Sequence, residues 1–241
     1  MKVLTVIPAY NEEQTIAHVI RDVRKYISES DILVVNDFSS DNTKEIVSQE
    51  KDVILINNIF NMGYALSVQT GIMYARDNGY DYVIQIDADG QHPASEAKKM
   101  LALAKKEKID IILGSRYLNK ECGYKIPLFR RVGTKMFEWS IRLFCSTRIK
   151  DPLTGLQCIN RKTICQYSAP GFYPEYPDAG LLIKMLMNGS TIREVPVKMK
   201  ERENGVSMHA GIIKPMKYML SQMYVCFITF LAYVGKRRKH E

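Results

Sequence analysis

Over residues 2–116, short runs rich in β-branched residues alternate with helix-like segments, and this alternation constrains the fold more than any other feature. The runs are KVLTVIPA (2–9), DILVVND (31–37), VILINN (53–58), YDYVIQID (80–87) and DIILGSR (110–116). Between them lie helix-like segments at 11–27, 39–50, 63–79 and 93–108, the last with Pro93 at its first turn. Strands that are apolar along their whole length must be covered on both faces, so the pattern predicts an α/β fold with a mainly parallel, Rossmann-like sheet between helical layers. In such sheets ligands sit beyond the carboxyl ends of the strands. The residues ending three of these strands are Pro8-Ala9-Tyr10-Asn11, Asn36-Asp37 and Asp87-Ala88-Asp89, all on that edge.

Asp87 and Asp89 close an apolar run one residue apart, followed by Gln91 and His92. Two carboxylates at a strand end read either as a solvated turn or as a seat for a hard divalent cation, which takes oxygen ligands and shares them with phosphate. On the second reading Asp87 and Asp89 are the ligands, Gln91 adds a carbonyl oxygen or orients a water, and His92 supports from behind. Tyr10 offers an aromatic face to a base, and Asp37 can accept an imide N–H or cap the segment that follows. Ser39, Ser40 or Asp41 can cap a helix there. The glycine-rich signatures of dinucleotide and P-loop sites are missing.

The charge balance narrows the partners. The 241 residues carry 34 Lys+Arg against 26 Asp+Glu, a net +8 that favours anionic ligands. The excess concentrates at 125–148 and in Lys236-Arg237-Arg238-Lys239, among bulky apolar side chains. That mixture suits a membrane surface better than a nucleic-acid groove. LFRRVGTKMFEWSIRLFC (128–145) is expected to be an interfacial helix. The uncharged stretch YMLSQMYVCFITFLAYVG (218–235) is 18 residues long, against about 20 for a spanning helix. A helix in or partly entering the interface is expected, with a span left open. DPLTGLQCINRKTI (151–164) reads as a turn-rich loop into a strand, and 178–202 as a helix stopped at Asn188-Gly189 and then a strand. Five scattered cysteines without a C-x-x-C pair argue for a reducing compartment, and the N-terminus meets Pro8 and acids too early for a secretory signal.

VIPAYNEEQTI, VVNDFSSDNT, NMGYALSVQTGI, QIDADGQHP, GSRY and EVPVKMKERENGVSM stand in the order found in family-2 glycosyltransferases. Over roughly residues 1–210 the chain resembles their polyprenyl-phosphate, dolichol-phosphate-mannose-synthase-like branch. The resemblance implies a GT-A fold, a nucleoside-diphosphate-sugar donor, a divalent metal (Mg²⁺ or Mn²⁺) and inversion at the anomeric carbon. Pro8, Ala9, Tyr10, Glu12 and Asp37 would then hold the nucleoside. Asp87, Ala88, Asp89 and Gln91 would hold the metal-bound diphosphate, with Asp89 also steering the acceptor. Arg116, Arg131 (or Arg130) and Arg202 would clamp donor and acceptor phosphates through their planar donor forks. Asp151, Thr154 and Gly155 would line the acceptor side.

Two departures stand out: Asn36 and Phe38 replace the usual Asp and Gly of VDDGS, and DPLTGLQC replaces D-x-T-S-G-F-R, so that Gln157 stands where an arginine is common. The expected activity is transfer of one sugar, from a UDP-sugar or GDP-mannose, to a polyprenyl phosphate at the cytoplasmic membrane face. A transferase acting on a hydroxyl of a lipid-linked or surface glycan, with Glu175 or Asp178 as base, is the alternative within enzymes. A non-catalytic nucleotide-sugar-binding adaptor is the alternative outside them. The expected division is a catalytic body over 1–210 and a membrane-associating tail over 211–241. No nucleic acid is expected as a partner, whereas a small membrane protein or a second copy remains open.

Overall fold

Strand β1 (Val3–Ala9) is buried along its whole length, with Val3 and Ile7 facing one core and Leu4 and Val6 the other. A strand apolar on both faces must run through the middle of a three-layer body. The computed structural model has that architecture and describes residues 1–118, 128–169, 179–200 and 213–237. The chain proceeds through α1 (Ile16–Tyr26), β2 (Ser30–Asn36), α2 (Thr43–Gln49), β3 (Val53–Asn57), α3 (Tyr64–Asp77), β4 (Tyr82–Gln85), α4 (Ala94–Glu107) and β5 (Ile111–Ser115). It continues with α5 (Leu128–Cys145), β6 (Gln157–Asn160), α6 (Arg161–Tyr167), α7 (Ala179–Met187), β7 (Ile192–Pro196) and α8 (Ile213–Arg237).

The seven described strands form one sheet in the order β3-β2-β1-β4-β6-β5-β7. All pairings are parallel except those of β6, which runs against both β4 and β5. The expected mainly parallel α/β sheet is therefore present, with one reversed strand in its middle. Helices α1 and α4 pack on one face; α3, α5, α6 and α7 pack on the other, where α8 contributes the buried Cys226. Helix α1 shows why: its buried residues Ile16, Val19, Ile20 and Val23 recur at the spacing of one helical face. Ala9, Asn36 and Asn57 lie level across β1, β2 and β3, so the loops after these strands open on one edge.

Three local expectations are corrected. The first helix starts at Ile16 rather than residue 11, because Asn11 has φ +55° and the N–H groups of Asn11, Glu12 and Glu13 donate to Ser39 Oγ, Thr43 Oγ1 and Asp41 Oδ2. The second starts at Thr43 rather than residue 39, with Asn42 at its N-cap and Asp41 Oδ1 accepting the Thr43 N–H at 3.0 Å. Residues 161–164 are helical rather than strand, since Asn160 ends β6 and its Oδ1 accepts the Thr163 N–H at 3.0 Å, opening α6.

Candidate active site

Asp87 lies just past β4, at the centre of the sheet's carboxyl edge. Its Oδ1 accepts the Tyr64 hydroxyl at 2.6 Å, and the hydroxyl oxygen in turn accepts the Gln85 amide at 2.7 Å. The backbone N–H of Asp87 donates to His92 Nδ1 at 3.1 Å. A ring nitrogen that accepts carries no proton, so the 3.7 Å approach of His92 Nδ1 to Asp87 Oδ2 is not an ion pair. Asp87 is therefore held by Tyr64 and His92, with Gln85 fixing the Tyr64 hydroxyl from behind. Asp89 Oδ1 accepts the Gln91 N–H at 3.0 Å across a turn that Gly90 makes at φ +75°, a conformation that disfavours any other side chain here.

Gly155 faces Asp87 from the loop before β6. A Cβ on it would stand 2.5 Å from Asp87 Oδ2 and 2.9 Å from Tyr64 Oη, so only glycine leaves the carboxylate uncovered. Among the described residues no group of three or more His, Cys, Asp or Glu gathers as a metal cluster. Two half-buried carboxylates on this edge fit a hard cation that takes one or two protein carboxylates and completes its shell with phosphate oxygens and water. Gln91 donates its side-chain amide to the Lys200 carbonyl at 3.4 Å and accepts the Lys200 N–H on its backbone carbonyl at 3.0 Å, tying the segment after β7 to this turn.

The loop carrying Gly155 is held by a buried relay. Arg116, following β5, donates Nε and Nη2 to the fully buried Asp151 carboxylate at 2.8 and 2.7 Å, and its backbone N–H to the same group at 2.9 Å. Asp151 and Lys150 donate their backbone N–H groups to the two oxygens of Glu194 on β7, both at 2.7 Å. Burial pushes the Glu194 carboxyl up from its ordinary value, against the opposing pull of these two N–H donors. Thr154 Oγ1 donates to the Gly114 carbonyl at 2.6 Å, pinning the loop to β5. Much of the Arg116 fork is thus committed to Asp151, and the pair positions Gly155.

At the other end of the edge, Asp37 is buried and accepts Asn58 Nδ2, Met62 N and Gly63 N, each at 2.8 Å. Three of the roughly four acceptor positions of its carboxylate are taken by the loop that leads into α3. Asn36 donates to Asn57 Oδ1 and accepts the Ser39 N–H and hydroxyl, so the Asn in place of the usual Asp shapes the turn. Pro8 and Ala9 are buried at the end of β1, Tyr10 is half-exposed just beyond, and the Glu12 carboxylate accepts the Thr15 hydroxyl at 3.0 Å. Ala88 is buried between the two acids. Arg131 is exposed on α5. The side chain of Arg130, and all of Glu175, Asp178 and Arg202, lie outside the described residues.

The sequence pattern assigns no task to Tyr64 within NMGYALSVQTGI, and none to Gln85 or Glu194. A Tyr at the first position of a helix carries no signal of its own; its role depends on α3 lying against β4.

The model of the family described as Glycosyl transferase family 2 matches residues 5–165. The chain is 27% identical over 226 residues to an undecaprenyl-phosphate mannosyltransferase of Micrococcus luteus, covering 88% of this chain and 90% of that protein. It is 27% identical over 212 residues to a UDP-N-acetylglucosamine–dolichyl-phosphate N-acetylglucosaminyltransferase of Methanococcus voltae, covering 80% and 83%. Its fold resembles glucosyl-3-phosphoglycerate synthase of Mycobacterium tuberculosis, solved with Mn²⁺, UDP-glucose and phosphoglyceric acid, at a TM-score of 0.68 and 18% identity over 97% of this chain and 80% of that one.

Proposed function

This chain belongs to glycosyl transferase family 2 and is a glycosyltransferase of the GT-A fold, and from that premise we propose that it moves one sugar from a nucleoside-diphosphate donor to a polyprenyl phosphate. The observation that carries the proposal is the Asp87–Asp89 pair at the carboxyl edge, aimed by Tyr64 and left uncovered by Gly155.

In this reading Asp87 and Asp89 hold a divalent cation, Mg²⁺ or Mn²⁺, with Gln91 beside them. When bound, the cation supplies positive charge to the diphosphate as it leaves. Pro8, Ala9, Tyr10 and Glu12 frame the nucleoside, while Asp37 stiffens its loop and keeps one acceptor position for an imide N–H. Arg131, with Arg130 and Arg202, pairs with donor and acceptor phosphates. The acceptor oxygen forms its bond to the anomeric carbon as the bond to the nucleoside diphosphate breaks on the opposite face, inverting the centre. A phosphate monoester has its second pKa at about 6, so it is largely dianionic at neutral pH and needs no strong base. Asp89 steers it, and Asp151 with Thr154 fixes the loop on the acceptor side.

The proposal includes attachment to a membrane surface, and helices α5 and α8, which run side by side, support it. The rings of Phe144 and Phe230 stack at 4.6 Å, and the Ser140 hydroxyl meets Met223 Sδ at 3.3 Å. On α5 the exposed residues include Arg131, Lys135, Trp139, Arg142 and Leu143; on α8 they include Leu220, Tyr224, Phe227, Ile228 and Leu231. Basic and apolar side chains on adjoining helices suit an anionic bilayer surface. Among the described residues no helix is long and apolar enough to cross a membrane. Residues 1–210 would carry the transfer and 211–241 the attachment, facing the cytoplasm where nucleotide sugars are made.

The test is transfer of label from UDP-glucose, UDP-N-acetylglucosamine or GDP-mannose into an organic-extractable product that mild acid cleaves. An acid-stable product would point to a hydroxyl acceptor instead.

A further inference from the structure

The three loops after β1, β2 and β3 carry large apolar side chains into solvent. Tyr10 is 49% exposed, Phe38 57%, Ile59 83% and Phe60 57%. The loops are tied together: Asn11 Oδ1 accepts the Ser40 N–H, Ser39 Oγ accepts the Asn11 N–H, and Asp37 holds Asn58, Met62 and Gly63. Phe38 lies in the middle of this set and has φ +60°, the left-handed region. For a bulky residue that conformation is a genuine outlier. Asn11, also left-handed, recovers some of the cost because its short polar side chain bonds locally. Phe38 has no polar group to do so, and its exposed ring recovers little by packing.

The backbone on either side leaves Phe38 little choice. Asn36 Oδ1 accepts both the N–H and the hydroxyl of Ser39, and the Asp37 N–H donates to the Ala9 carbonyl at 2.8 Å. Strain held by surroundings in this way collects at ligand sites. Glycine would relieve it, and glycine is the residue usual at this position in the VDDGS pattern. The ring is thus a standing cost in the free protein, placed at the sheet edge where ligands sit.

We propose that Phe38 is the stacking surface for the donor's nucleobase, an affinity element that this chain has in place of a backbone-only turn. The proposal rests on the reading of this edge as a nucleotide-sugar site. A flat heteroaromatic ring is the ligand chemistry that an exposed, rigidly presented aromatic side chain recognises, and stacking tolerates either purine or pyrimidine. Base choice would then fall to the polar groups around Asp37, and Phe38 would set affinity for the nucleoside as a whole.

The experiment titrates the full chain with UDP, GDP and inorganic pyrophosphate at saturating Mn²⁺, comparing wild type with Phe38→Gly, Phe38→Ala and Phe38→Tyr. Phe38→Gly should weaken whichever nucleotide the wild type binds by about tenfold, at the low end of base–aromatic stacking. Pyrophosphate, which has no base, should bind unchanged, and the Tm of Phe38→Gly should equal or exceed wild type. Phe38→Tyr should bind as wild type; Phe38→Ala should lose affinity without regaining stability. Equal nucleotide affinity in Phe38→Gly, or a parallel loss for pyrophosphate, would overturn the proposal. A wild type that binds pyrophosphate but neither nucleotide would overturn both this proposal and the nucleotide-sugar reading beneath it.

Discussion

Gly155→Ala adds one methyl group 2.5 Å from Asp87 Oδ2, and the carboxylate must turn away or be covered. Turnover should fall by roughly a hundredfold with the far-UV spectrum retained, since altering the groups that merely orient metal ligands already costs about 10–100-fold. Tyr64→Phe removes the 2.6 Å bond that aims Asp87 together with the acceptor of the Gln85 amide, and a loss of about tenfold in kcat is expected. Steady-state kinetics on both variants checks the order, with Gly155→Ala the more damaging of the two. The acids themselves were legible in the sequence, because Asp87-Ala88-Asp89 closes an apolar run. The roles of Tyr64 and Gly155 toward Asp87 were not, because each acts on a residue far away in the chain. Asp110 gives a pH prediction of known sign. Burial pushes its pKa up, but Lys162 Nζ at 2.9 Å, the Thr191 N–H and the Asn160 amide outweigh it, and the net shift is below the usual 3.8. The unfolded chain therefore binds this proton first, so the stability that Asp110 contributes is present above that value and lost as pH falls through the lower folded one. Asp110→Asn should lower Tm at pH 6 and flatten its decline as pH falls below 3.8.

At the scale of elements, the relay from β7 through residues 150–151 to Arg116 decides where the loop before β6 lies. Arg116→Ala leaves Asp151 buried without its guanidinium, a change that typically costs about 3–5 kcal/mol. For a chain of this size that is roughly a 10 °C fall in Tm. Glu194→Gln replaces one of two acceptors with a donor facing a backbone N–H, at about 1–3 kcal/mol. Burial raises the Glu194 pKa, so between its ordinary and folded values the native state keeps a proton that the unfolded chain has lost. Wild-type Glu194 therefore favours the fold most at the acid end, and Glu194→Gln should lose that dependence. The parallel strands β1–β4 were legible as apolar runs. Strand β6 is four residues long, and neither its reversal nor its place between β4 and β5 leaves a period in the sequence. Helix α6 was hidden because its cap, Asn160, is also the last strand residue. For the proposed membrane contact, each basic side chain near an anionic bilayer contributes about 1 kcal/mol. Lys135→Gln with Arg142→Gln should thus weaken co-sedimentation with phosphatidylglycerol vesicles by roughly thirtyfold; no change would argue against α5 as the contact.

For the whole molecule, the layered sheet sets the loops after β1–β3, the carboxylate pair at β4 and the Gly155 loop beside it, all on one side. The exposed side chains of α5 and α8 form a basic and apolar surface. The sequence pattern located the edge and its acids, but the contacts between strands distant in sequence that aim Asp87 became visible only in the fold. Label transfer tests the central claim most directly. Membranes containing polyprenyl phosphate are incubated with the full chain, Mn²⁺ or Mg²⁺, and each labelled nucleotide sugar in turn. One donor should pass its sugar into an organic-soluble, mild-acid-labile product, and Asp87→Ala should abolish that transfer while melting as wild type does. Equal transfer by Asp87→Ala, or no label in the organic phase from any nucleotide sugar, would contradict the account.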